Sequence, residues 1–128
     1  MKEALIKLLD KAYAPYSKFR VSAIIETKDG KFIPGVNVEN ASYGASICAE
    51  RSAILSAISN GYQKGDFKEL HLMCDSQKIG MPCFDCRTVI SELFNPDSFV
   101  IAYNNVGDKE VHIVSELCPY PFNEDNLK

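Results

Sequence analysis

Residues 48–61, Cys48-Ala49-Glu50-Arg51-Ser52-Ala53-Ile54-Leu55-Ser56-Ala57-Ile58-Ser59-Asn60-Gly61, combine a one-sided apolar stripe with a chemically loaded start. Ala49, Ala53, Ile54, Ala57 and Ile58 recur at helical spacing, so Cys48 to Asn60 reads as a buried helix with Gly61 at its C-terminal cap. Such a stripe has to be covered by a second layer, and the flanking sequence supplies strands to cover it. Upstream, Val21 to Thr27 is rich in β-formers. Asp29-Gly30 and the runs Phe32-Ile33 and Val36-Asn37-Val38 follow, a hairpin signal. Downstream, Leu70 to Cys74 reads as a third strand and Asp75 to Met81 as a loop.

The remaining elements follow from the same two periods. Ala4, Leu5, Leu8, Leu9 and Ala12 predict an amphipathic helix over residues 3–13, stopped by Pro15. Cys83 to Phe94 predicts a helix with Val89, Ile90, Leu93 and Phe94 turned inward. Phe99 to Tyr103 and Val111 to Val114 predict two strands around a turn at Asn104 to Asp108, and Ser115-Glu116-Leu117 a short last helix. The order α-β-β-α-β-α-β-β predicts an α/β fold, a three-layer α-β-α sandwich around a five-stranded mixed sheet. With no repeat, linker or low-complexity tract in 128 residues, one domain over 1–128 is expected.

The chemistry sits at the two helix starts. Cys48 opens one, and Pro82-Cys83-Phe84-Asp85-Cys86-Arg87 opens the other. Backbone N–H groups and the positive end of the helix dipole favour thiolate there. Structural zinc usually closes with four protein ligands, whereas three leave a position for water. Cys48, Cys83 and Cys86 are thus candidate ligands of one open Zn²⁺ site. Glu50 can fold over the helix tip and carry a proton for that water. Arg51 and Arg87, each following a cysteine motif, are candidates to offset the excess thiolate charge by hydrogen bonding to sulfur. A lone Cys-x-x-Cys fits redox chemistry or structural zinc equally well. The pairing with Cys-x-Glu is what points to a hydrolytic zinc site, a combination described for zinc deaminases.

Composition narrows the partners. A net charge of -3 argues against nucleic acid as a general partner. Met1 to Asp10 has no apolar run of signal-peptide type, and no stretch approaches the ~20 apolar residues of a membrane span. A cytoplasmic location is expected. The odd number of cysteines, five, favours metal or redox chemistry over a disulfide framework. Cys74 and Cys118 are expected to be free, small apolar residues.

With these motifs in place, the chain resembles the cytidine deaminase family, in its small three-cysteine branch. The residues that carry the resemblance are Ala14-Pro15-Tyr16-Ser17-Lys18-Phe19, the run from Gly35 to Gly44, Cys48 to Ala53, Pro82-Cys83 with Cys86-Arg87, and Glu116-Leu117 with Pro119 and Phe122. The resemblance implies one Zn²⁺ per subunit on Cys48, Cys83 and Cys86, with Glu50 as proton shuttle. It implies that Asn37 and Glu39 bind the ribose hydroxyls, that Phe19 packs on the pyrimidine and that the Ala49 backbone meets the base amine. Tyr43 and Phe122 resemble residues donated across subunit interfaces, which implies a homotetramer with shared active sites. The implied reaction is water attack at C4 of cytidine or deoxycytidine with release of ammonia, a step of pyrimidine salvage on a free nucleoside.

The chain departs from the family at Phe84, Asp85 and Thr88, where Gly, Ala and Gln are common, and at Ser22, where the strand usually carries glycine. These departures leave room for another aminonucleoside, such as a blasticidin-type antibiotic. A zinc-stabilised relative without turnover is a second alternative, although Glu50 and the three-thiolate set speak against it. A thioredoxin-like redox role for Cys83 and Cys86 would leave Cys48 without a part.

Overall fold

The computed structural model describes residues 1–128. Its sheet is formed by β1 (Val21–Thr27), β2 (Phe32–Val36), β3 (Phe67–Cys74), β4 (Phe99–Tyr103) and β5 (Lys109–Ile113). They lie in the order β2-β1-β3-β4-β5. β3 and β4 run parallel and every other pair is antiparallel. A parallel pair needs a crossover, and α3 (Phe84–Leu93) provides it. The other helices are α1 (Lys2–Leu9), α2 (Ala49–Ser59) and α4 (Val114–Leu117).

Side chains alternate across a strand, so each strand feeds two layers. Ala23 and Ile25, Leu70 and Leu72, and Val100 and Ala102 pack with Ala53, Ile54 and Ala57 of α2 and Cys86 and Ile90 of α3. Ile24, Met73 and Tyr103 point the other way and pack with Leu5 and Leu9 of α1. This is the expected three-layer α-β-α sandwich. Each fully buried Leu or Ile stabilises it by about 1.5–3 kcal/mol. Phe67 and Phe94, with ring centroids 5.0 Å apart, close the core where α3 ends.

Several boundaries differ from the sequence reading, for reasons visible in the backbone. α1 stops at Leu9 because Tyr13, four residues further on, is taken by other partners: its N–H donates to Asn37 O at 3.0 Å and its carbonyl accepts from Glu39 N at 2.8 Å. β2 runs through Pro34, which an edge strand paired only with β1 tolerates. β3 begins at Phe67 rather than Leu70, and β5 covers Lys109–Ile113 rather than residues 111–114. Within α2, Ile58 is 42% exposed instead of joining the buried stripe. No helix is long and apolar enough to cross a membrane.

Candidate metal centre

Two backbone devices bring the helix starts together. Gly35 on β2 lies where an added Cβ would sit 2.4 Å from Ala53 N and 2.5 Å from Ala49 O. Only glycine lets α2 rest its first turns directly on the strand. α3 begins past the C-terminal end of β3, where ligand sites of parallel strands gather. Cys48 and Cys83 are the N-caps of α2 and α3, and neither spends its side chain on capping. Both sulfurs are therefore free to face each other.

They do. Cys48 Sγ and Cys83 Sγ are 3.6 Å apart. The sulfurs of Cys48, Cys83 and Cys86 all lie within 4.8 Å of one another. Zinc–sulfur bonds of about 2.3 Å in a tetrahedron place sulfurs about 3.8 Å apart, so the set fits zinc. Its charge state fits too. Hydrogen bonding from Cys86 and from Arg51 Nη2, 3.4 Å from Cys48 Sγ, holds the Cys48 thiol down at about 5. The same contact with the Cys48 thiolate, together with burial, drives Cys86 upward. A cation is what would let all three sulfurs ionise together.

Glu50 is only 4% exposed and faces the same cavity of about 300 Å³ as Cys48 and Cys83. Burial raises its carboxyl to about 7, and the adjacent Cys48 thiolate adds to the rise. The cavity is also lined by Phe19, Asn37, Glu39 and Ala49. Phe19 is 47% exposed, which makes it a wall of the cavity and not part of the core. Asn37 Nδ2 donates to Phe19 O at 2.8 Å, and its Oδ1 accepts from Val21 N at 2.9 Å. Glu39 Oε1 accepts from Tyr16 N at 3.0 Å and Ser17 N at 3.1 Å, and Oε2 accepts from Ser17 Oγ. These bonds hold the Glu39 carboxyl below its ordinary value, the Ser17 hydroxyl first among them.

Other expected site residues lie elsewhere. Tyr43 is 77% exposed, edge-on to Tyr16, and Phe122 is 66% exposed; neither lines this cavity. Arg51 reaches sulfur, but Arg87 does not. Its Nε donates to Pro82 O at 2.7 Å and its Nη1 to Leu117 O at 3.2 Å. Arg87 thus braces the backbone before α3 against α4, and the expectation of a thiolate partner is corrected there. Its guanidinium also covers the Phe84 ring at 4.5 Å, so Phe84 points outward and takes no cavity space. Cys74 and Ser17, by contrast, line the cavity although neither stands out as a site residue in the sequence. Cys74 reads as an inert strand residue, and only the fold places it on the wall of the cavity that Glu50 also lines.

A family model described as "Cytidine and deoxycytidylate deaminase zinc-binding region" matches residues 1–102. A cytidine deaminase from Halalkalibacterium halodurans is 41% identical over 127 residues, covering 99% of this chain and 94% of its own length. The crystal structure of cytidine deaminase from Burkholderia pseudomallei superposes with a TM-score of 0.90 at 43% identity, covering 94% of each chain. A blasticidin-S deaminase from Bacillus cereus is 35% identical over 83% of this chain and 79% of its own. The matched region takes in all three cysteines and Glu50, and the chain belongs to the cytidine and deoxycytidylate deaminase family, whose zinc-binding character its own sulfur geometry shares.

Proposed function

We propose that this protein deaminates cytidine and deoxycytidine hydrolytically, with Glu50 as the proton carrier. The observation that carries the reading is a nearly buried carboxyl that lines one nucleoside-sized cavity with Cys48 and Cys83, whose sulfurs converge with that of the buried Cys86. Zinc held by Cys48, Cys83 and Cys86 supplies a Lewis acid that makes water a usable nucleophile at neutral pH. Glu50 takes the proton of the attacking water and delivers it to N3 as the oxygen bonds to C4. It then carries the second proton to the exocyclic amine, which departs as ammonia and leaves the C4 carbonyl. A carboxyl raised to about 7 by burial can both accept and donate near physiological pH.

The other cavity residues position the nucleoside. Phe19 offers its ring face to the pyrimidine and the Ala49 backbone meets the amine. Glu39 already accepts from Tyr16, Ser17 N and Ser17 Oγ, yet a carboxylate has room for a further hydroxyl donor. Asn37 Nδ2 retains its second hydrogen. Together they suit a sugar diol at the cavity mouth. The exposed Leu55 and Ile58 of α2, with Tyr43 and Phe122, support a homotetramer in which neighbouring copies complete each site. Five free cysteines support a reducing, cytoplasmic setting.

The test is ultraviolet assay and ammonia release on purified, zinc-analysed protein with cytidine, deoxycytidine and blasticidin S as parallel substrates. Turnover of the two nucleosides is expected to dominate. Full zinc occupancy with no turnover of either would overturn the reading, and blasticidin S as the sole substrate would redirect it. Light scattering on the same sample checks the tetramer.

A further inference from the structure

On the α1 face of the sheet, away from the cysteines, β1 and β3 set two carboxylates directly against each other. Glu26 pairs with Glu69 in register, and His71 lies two residues further along β3 on the same face. Like charges opposite one another destabilise a strand pair. The pair is also partly withdrawn from water, with side-chain exposures of 20% for Glu26 and 19% for Glu69. Fold stability alone gives no reason to build this arrangement.

His71 supplies the independent observation. Its side chain is 6% exposed. Nδ1 is engaged by the Tyr103 hydroxyl at 3.1 Å, whereas Nε2 is buried without a hydrogen-bond partner. That nitrogen lies 3.3 Å from Glu69 Oε1, outside hydrogen-bonding alignment. Ligand atoms of Glu26, Glu69 and His71 all fall within 4.8 Å of one another. In the tautomer that carries its proton on Nδ1, the ring donates to the Tyr103 hydroxyl and leaves the Nε2 lone pair facing the two carboxylates. Burial, the largest influence on this imidazole, lowers its pKa and so favours the neutral, ligating form. The Lys68 ammonium, 3.0 Å from Glu26 Oε2, is the cation now present, and its side chain is 59% exposed and free to swing out.

We propose that Glu26, Glu69 and His71 form a second metal site, for a divalent first-row transition ion, with Tyr103 orienting the imidazole. One imidazole and two carboxylates suit zinc, cobalt, nickel or iron(II) better than calcium or magnesium. A hydrogen bond from the second ring nitrogen is the usual support of a ligating histidine. Binding replaces the Lys68 ammonium by a divalent ion and relieves the Glu26–Glu69 repulsion. The site thereby fastens β1 to β3.

Equilibrium dialysis of the full, zinc-loaded chain against micromolar Zn²⁺ tests this, with metal counted by mass spectrometry. Wild type is expected to hold two zinc ions per chain, and Glu69→Gln only one. Tyr103→Phe is expected to keep the second ion with affinity reduced about 10–100-fold. Added Zn²⁺ is expected to raise the thermal midpoint of the one-zinc wild type but not of Glu69→Gln, while deamination per chain stays the same in both. A single zinc in wild type overturns the proposal. So does a second zinc that Glu69→Gln retains, which would mark an adventitious surface ion such as one on the partly exposed His112.

Discussion

Arg51 and Arg87 each stand in the first turns of a helix that a cysteine opens, yet they do different work, and the difference is measurable. Arg51 Nη2 touches Cys48 Sγ, so Arg51→Gln is expected to weaken zinc about 10–100-fold in competition with a chelator. Arg87→Gln is expected to leave zinc affinity unchanged and lower the urea midpoint, because its bonds run to Pro82 and Leu117 carbonyls. Glu50→Gln preserves shape and removes the proton acceptor. Its kcat is expected to fall by at least roughly 10²–10⁴-fold with zinc content unchanged; near-normal turnover would take Glu50 out of the reaction. Cys48, Cys83, Cys86 and Glu50 were legible in the sequence as candidates because residue type and spacing single them out. The fate of Arg87 was not, because a long side chain chooses among acceptors that only the fold presents.

Elements are held in place by contacts that no local pattern announces. Ser22 on β1 is completely buried, and its hydroxyl donates to Leu5 O of α1 at 2.8 Å. That bond gives the buried hydroxyl its partner and ties the first helix to the sheet on the face opposite the cavity. Ser22→Ala is expected to destabilise by about 0.5–1.5 kcal/mol in urea unfolding and to leave kcat unaltered. Gly35→Ala strikes the other layer. A methyl 2.4 Å from Ala53 N must push α2 off the sheet. The expected loss is about 1–3 kcal/mol together with a drop in zinc affinity, since Cys48 rides on α2. Helix and strand identities were readable from periods of 3.6 and 2. The early end of α1 and the passage of β2 through Pro34 were not, because pairing partners distant in sequence override local propensity.

At the scale of the whole molecule, charge ties distant segments beside the cavity loop. Arg20 Nε and Nη2 reach Asp75 Oδ2 at 3.0 and 2.6 Å, and Asn105 Nδ2 reaches Oδ1 at 3.2 Å. These bonds, Arg20 first, hold the Asp75 carboxyl below its ordinary range. A depressed carboxyl stabilises the fold above its unfolded pKa, about 3.9, and loses that contribution as pH falls through the lower folded value. Asp75→Asn is therefore expected to flatten the acid limb of stability against pH in denaturant titrations; an unchanged limb would deny the link. The chain by itself determined the layered α/β plan and the candidate zinc ligands, because hydrophobic period and cysteine chemistry are local properties of the sequence. Only the tertiary structure decided that Glu50 is buried beside the sulfurs, that Glu39 and Asn37 grip the 16–21 segment, and that Glu26, Glu69 and His71 meet. Burial, pKa and ligand convergence depend on which strands become neighbours, and neighbours are fixed by the packing of the whole chain.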